Sequence, residues 1–306
     1  MGGFQTRETN SPYNKKMGYH RLTEVVGFSF NPETLRWGYR FSPWREERGL
    51  FYKAFSLGEG RAFMAFLGRM EGEWHIRVSG RDVDENMALE EVGRTLGGRE
   101  DLVSIAELSG EDPVLSRALE ELPGYRLKST PYLHEALFSA IISQNVSREG
   151  FFKMLNEFKE LLGVKVEADG YVDFVFPPLG KLRDIDPSVF SDGRLAYRAS
   201  VIRDIARKIG DDFFAELGSD PASGIETLTK LRGVGQYTAR ATLLYGYRAY
   251  EVPVADRYII KMLASLYSDF DSRDASGLDA FARDRWGEYA GYVIDLLIAW
   301  SQKNGR

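Results

Sequence analysis

Between residue 23 and about residue 80, aromatic and β-branched side chains fall in short runs cut by turn residues. Phe51-Tyr52-Lys53-Ala54-Phe55 and Arg61-Ala62-Phe63-Met64-Ala65-Phe66 are two such runs, with turn signals at Asn31-Pro32, Gly58-Glu59-Gly60 and Glu71-Gly72. Trp74, Ile76 and Val78 alternate with His75, Arg77 and Ser79, the pattern of a strand with one face wet. From about Asp84 the period becomes helical. Thr130-Pro131 predicts a helix start, and Leu133, Ala136, Leu137, Ala140 and Ile141 then line one face. Similar stripes run through Val201, Ile205 and Ile209, and through Ile259, Leu263 and Leu266. Pro177-Pro178 and the stretch 272–277 mark loops between helices. The fold class is therefore α+β: a polar tail over 1–22, an antiparallel β-sheet domain over 23–83, and a larger all-helical domain over 84–306.

Composition narrows the chemistry more than the fold. At 306 residues and 43% hydrophobic, the chain can bury two ordinary cores. It contains no Cys, which excludes disulfides, thiol nucleophiles, Cys-bound zinc and iron–sulfur clusters. With three His, a multi-histidine metal site is disfavoured. The most apolar stretch, Tyr292 to Trp300, is broken by Asp295 and falls short of the roughly 20 residues that span a bilayer. Met1 to Thr6 fits a myristoylation pattern, but no second membrane signal follows, and the expectation there is a polar tail. Lys15 and Lys16 precede no apolar core, so no secretory signal is expected. A soluble monomer without a membrane partner is expected, cytoplasmic if prokaryotic and nuclear if eukaryotic. Net charge is −5, with 40 Lys+Arg against 45 Asp+Glu, which by itself argues against a nucleic-acid partner.

One local motif points the other way. A helical pattern through Ile225 to Lys230 runs into Gly233-Val234-Gly235, and a second helix pattern starts around Thr238. Two glycines around an apolar residue permit a hairpin that leaves amides exposed at a helix N-terminus, a phosphate site needing no basic side chain. The same residues equally suit a plain helix–turn–helix connection. Val252-Pro253-Val254-Ala255-Asp256-Arg257-Tyr258 follows, and 23 residues separate Gly233 from Asp256. Asp256 suits a helix N-cap as well as a catalytic carboxylate, and one residue can serve both.

Here the chain resembles the helix-hairpin-helix DNA glycosylase superfamily, in the branch of 3-methyladenine and 8-oxoguanine glycosylases without an iron–sulfur cluster. The hairpin and the aspartate carry the resemblance. It extends to Ala140-Ile141-Ile142-Ser143-Gln144-Asn145-Val146-Ser147, to Leu195-Ala196-Tyr197-Arg198-Ala199 and to Trp286-Gly287-Glu288-Tyr289-Ala290-Gly291-Tyr292. It implies a base-excision repair enzyme that binds double-stranded DNA, flips out a damaged base and hydrolyses its N-glycosidic bond. Asp256 matches the carboxylate that steadies positive charge developing on the sugar. Gly233, Val234, Gly235 and Thr238 match the hairpin's DNA contacts, and Gln144 and Asn145 the loop that fills the space left by the flipped base. Asn145 suits an ordinary surface turn equally well. Main-chain carbonyls of Thr229, Leu231 and Val234 match those that hold a monovalent cation in the family. No other cofactor is implied.

Members that also cut the strand carry a Schiff-base lysine two residues after the second hairpin glycine. That position is Tyr237, so a hydrolase without lyase activity is expected. Tyr237 and Tyr289 match aromatic positions of the 3-methyladenine type, where electron-rich rings can stack on a cationic alkylated purine; Tyr289 also suits plain core packing. Ala241 and Ile298 stand where the 8-oxoguanine type has its base-sandwiching residues, whereas the 195–199 and 286–291 segments resemble that type more closely. Oxidised purine is therefore the second substrate reading, and a non-catalytic DNA-binding module the third. The basic run Arg194, Arg198, Arg203, Arg207 and Lys208 fits a solvated face or a phosphate contact.

Overall fold

The computed structural model describes residues 19–38, 41–58, 60–97, 100–210, 212–217, 220–271 and 277–305. Most of the polar tail, the central residue of the Gly58-Glu59-Gly60 turn and most of the 272–277 loop lie outside the described residues. Two compact units emerge, interleaved along the chain where the sequence reading has a single boundary near residue 83. The first is made from the described parts of Met1–Pro32, Pro43–Gly98 and Asn145–Lys208, the second from those of Glu33–Ser42, Arg99–Gln144 and Ile209–Arg306.

The first unit holds the expected antiparallel sheet. Its strands are β1 (His20–Arg21), β2 (Arg45–Glu47), β3 (Leu50–Ser56), β4 (Ala62–Met70) and β5 (Glu73–Gly80), in the order β1-β5-β4-β3-β2. Register pairs Phe55 with Phe63 and Leu67 with Ile76, all four buried, and the two phenyl rings stack at 5.3 Å. Cross-strand apolar pairs of this kind fix register, because a one-residue slip would turn every one of them outward. Helix Glu85–Thr95 follows, capped by the Asp84 carboxylate, which accepts from the Met87 amide at 2.9 Å.

A second, two-stranded sheet within the region read as all-helical was not anticipated. Strands β6 (Val164–Ala168) and β7 (Tyr171–Val175) pair antiparallel across Asp169-Gly170, both at positive φ (52° and 81°). Asp-Gly at those angles is the two-residue turn that matches strand twist. From β7, buried Asp173 accepts from the Ala54 amide of β3 at 2.9 Å and from Arg45 Nε at 2.8 Å, with Lys159 Nζ at 3.5 Å. Burial would raise its pKa, but Lys159, the Ala54 amide and Arg45 together hold it below the usual carboxylate value.

The second unit is helical around one central rod, helix Ala290–Lys303. Every residue from Ala290 to Ser301 is buried, including Asp295. The Tyr245 hydroxyl donates to Asp295 Oδ1 at 2.9 Å and the Tyr125 hydroxyl to Oδ2, so the polar break in the apolar run is satisfied inside the core. Helix Leu133–Ser143 packs against helix Gln236–Tyr247 so closely that a Cβ on Gly246 would sit 3.1 Å from the Ala136 Cβ. Thr130 is not the helix cap that its sequence suggests. Its amide donates to the Tyr245 carbonyl at 2.9 Å and its hydroxyl to the Tyr132 carbonyl at 2.8 Å, so the helix begins two residues later than the Pro signal implies.

Candidate functional site

The hairpin joins helix Pro221–Thr229 to helix Gln236–Tyr247. The Leu231 amide donates to the Leu228 carbonyl at 3.0 Å and the Val234 amide to the Leu231 carbonyl at 3.1 Å, which tightens the turn. Gly233 at φ 85° makes the reversal, a conformation that an L side chain resists. Gly235 is different. Its backbone is extended and a Cβ there would meet nothing within 4 Å, so the fold does not require glycine at 235. Val234 is buried between the two exposed glycines and pins the loop by its side chain. The arrangement presents the first-turn amides of a 12-residue helix beside a bare backbone, and an anion can approach them closely.

Gln144, at the end of helix Leu133–Ser143, clamps this hairpin. Its Nε2 donates to the Gly233 carbonyl at 2.9 Å and to the Thr238 hydroxyl at 2.8 Å. The Thr238 side chain is thus buried and engaged within the protein, and only its amide, in the first turn, remains in keeping with the expected DNA contact. Asn145 is exposed at φ 51°, a left-handed conformation that Asn tolerates, and belongs to the first unit. The cation expected at the hairpin would use carbonyls of Thr229, Leu231 and Val234. Oxygens at a helix C-terminus suit a hard monovalent ion, and Leu231 also accepts the Val234 amide. No cluster of three or more His, Cys, Asp or Glu suited to a metal occurs among the described residues.

Asp256 caps helix Arg257–Leu266, with Oδ1 accepting from the Ile259 amide at 2.9 Å. It is half-buried, as are Tyr237, the second residue of its helix, and Tyr289, in the turn before the central rod.

The connection from the hairpin helix to Asp256 is pinned along its length by residues that sequence reading missed. Arg248 ends the helix in the left-handed region (φ 58°), unusual for a non-glycine, and its guanidinium is held on several sides. It donates to Glu100 Oε1 at 2.9 Å, to the Leu127 carbonyl at 3.1 Å and to Ser129 Oγ at 3.0 Å. Glu100 is fully buried. Burial pushes its carboxyl up to about 8, against the opposing pull of Arg248 and Arg126 and the Tyr250 hydroxyl. Further along, the Tyr250 carbonyl accepts the Gly291 amide at 2.6 Å, and a Cβ on Gly291 would lie 2.2 Å from the Val252 carbonyl oxygen. The Pro253 carbonyl accepts from Arg240 Nη1 at 3.3 Å. The only trace of it in the sequence is a charge set between small apolar residues, Ala239-Arg240-Ala241.

No family model matches the chain. A probable N-glycosylase/DNA lyase of Methanothermobacter thermautotrophicus is 27% identical over 284 residues, covering 86% of this chain and 90% of that protein. An 8-oxoguanine glycosylase/lyase of Clostridium acetobutylicum, solved with double-stranded DNA containing cytosine opposite 8-oxoguanine, superposes with a TM-score of 0.76 at 19% identity over the whole of both chains. A 3-methyladenine DNA-glycosylase of Archaeoglobus fulgidus gives 0.71 at 22% identity, over 95% of this chain and 98% of its own. The fold thus recurs in one glycosylase of each kind. Over most of its length the chain is similar in sequence to a probable N-glycosylase/DNA lyase, and it shares the fold of 8-oxoguanine and 3-methyladenine glycosylases.

Proposed function

We propose that this protein is a base-excision repair DNA glycosylase that hydrolyses the N-glycosidic bond of an alkylated purine, such as 3-methyladenine, without cutting the strand. The observation that carries the reading is the presence of Tyr237 in the first turn of the second hairpin helix and of Asp256 as the N-cap of the next helix. The hairpin amides would take a phosphate of the damaged strand, with a monovalent cation on the neighbouring carbonyls. The flipped nucleotide's sugar gains positive charge as the base leaves, and the Asp256 carboxylate stabilises it while water attacks. Tyr237 offers a ring face to a cationic base and no amine to trap the sugar.

The second reading is an oxidised-purine enzyme, favoured by the sequences of the 195–199 and 286–291 segments. Single-turnover incubation with methylated duplex DNA tests the choice. Free 3-methyladenine is the expected product, with an 8-oxoguanine duplex left intact. Release of 8-oxoguanine alone would transfer the assignment to the second reading, and release of neither would overturn both.

A further inference from the structure

Arg240, half-buried and the fifth residue of the second hairpin helix, ties that helix to the connection leading to Asp256. Its Nη1 donates to the Pro253 carbonyl at 3.3 Å, three residues before Asp256. Nη1 and Nη2 also grip the Asp279 carboxylate as a fork, the Nη2–Oδ2 distance being 2.5 Å. Asp279 sits in the first turn of helix Leu278–Trp286, so its position is set by a third element. The start of the same helix, two residues before Arg240, is clamped by Gln144 through Thr238 and Gly233. A planar guanidinium held bidentately has little freedom, which makes it a rigid strut rather than a flexible tether.

We propose that Arg240 is a positioning residue for Asp256. Braced by Asp279, it sets the distance of the Pro253 carbonyl from the hairpin helix and so aims the capping carboxylate that follows. The ion pair itself is partly exposed and contributes little stability. Its value is geometric: a carboxylate displaced by about an ångström loses much of its hold on a developing charge, and such misplacement costs up to roughly 100-fold in rate. This inference rests on the glycosylase reading above, because only there does the aim of Asp256 matter.

The test is a double-mutant cycle on the full chain, read as single-turnover excision at saturating enzyme. R240M should slow excision roughly 10- to 100-fold, with the Kd for duplex DNA bearing a non-cleavable abasic analogue within about threefold of wild type. R240K keeps one donor and should recover part of the rate; D279N leaves the Pro253 contact and should lose less than R240M. In a D256N background the further effect of R240M should shrink to about twofold or less, because the two act through one carboxylate. A purely structural arginine would lower rate by the same factor in both backgrounds, and that result overturns the proposal, as does R240M at wild-type rate. If R240M fails to fold by circular dichroism, R240K and D279N decide by the same cycle. A wild-type enzyme that releases no base from methylated or oxidised DNA overturns the glycosylase reading and this inference with it; an active wild type with an unaffected R240M overturns this inference alone.

Discussion

Asp256 owes its direction to the helix that it begins. Because Oδ1 accepts the Ile259 amide, the carboxylate cannot rotate away without losing the cap, a contact worth about 1 kcal/mol. Asparagine caps helices as well as aspartate does, so D256N keeps the fold and removes only the charge. Single-turnover excision is expected to fall by roughly 10²- to 10³-fold, with affinity for abasic-analogue DNA retained; a variant excising at the wild-type rate would remove Asp256 from the mechanism. Tyr237 makes the complementary prediction. With no amine at that position, borohydride should trap no covalent complex between protein and damaged DNA, and a trapped band would restore a lyase step.

Two glycines separate what the ligand demands from what the fold demands. Gly235 stands in open space, so G235A should leave the melting temperature within a few degrees while weakening DNA binding, since the added methyl lies where a phosphate would meet the amides. Gly291 stands against the Val252 and Tyr250 carbonyls, and G291A must push the Asp256 connection away from the central rod. Thermal melts should show a loss of roughly 1–3 kcal/mol for G291A, and excision should fall with it. Equal behaviour of the two variants in both assays would void the distinction. At this scale the sequence was readable in part. Asp169-Gly170 and the alternation around Val164 and Val166 spelled a hairpin, but the stretch was short and set among longer helical patterns. Thr130-Pro131 spelled a helix start, yet the Tyr245 carbonyl claimed its amide first.

Across the second unit, stability is tied to the network of buried Glu100 and Arg126 with half-buried Arg248 and Tyr250, which anchors the Asp256 connection. Glu100 holds its proton up to about pH 8 in the folded protein but only to about 4.5 in the unfolded chain. Between those values the folded state binds the extra proton, so stability falls as pH rises from about 4.5 and levels off above about 8. The melting temperature should decline across that window, and E100Q, which keeps an acceptor for the Leu127 amide at 3.1 Å, should flatten the decline. An unchanged slope in E100Q would show that Glu100 does not titrate there. The net charge of −5 is no obstacle to DNA at this scale, because the hairpin offers amides rather than cations.

Several properties were determined by the sequence alone. Period-two and helical patterns predicted a sheet followed by helices, and the absence of Cys removed the iron–sulfur and thiol chemistries. Gly233-Val234-Gly235 and Asp256 marked a candidate site, with Tyr237 where the resemblance would put an amine. These are local signals, carried by residue type and spacing over a few turns of chain. Only the tertiary structure decided that Thr238 is spent on Gln144, that Gly235 is free where Gly291 is not, and that Arg240 reaches the Pro253 carbonyl. Those facts depend on distances between segments far apart in sequence, and packing sets such distances after the local pattern has been read.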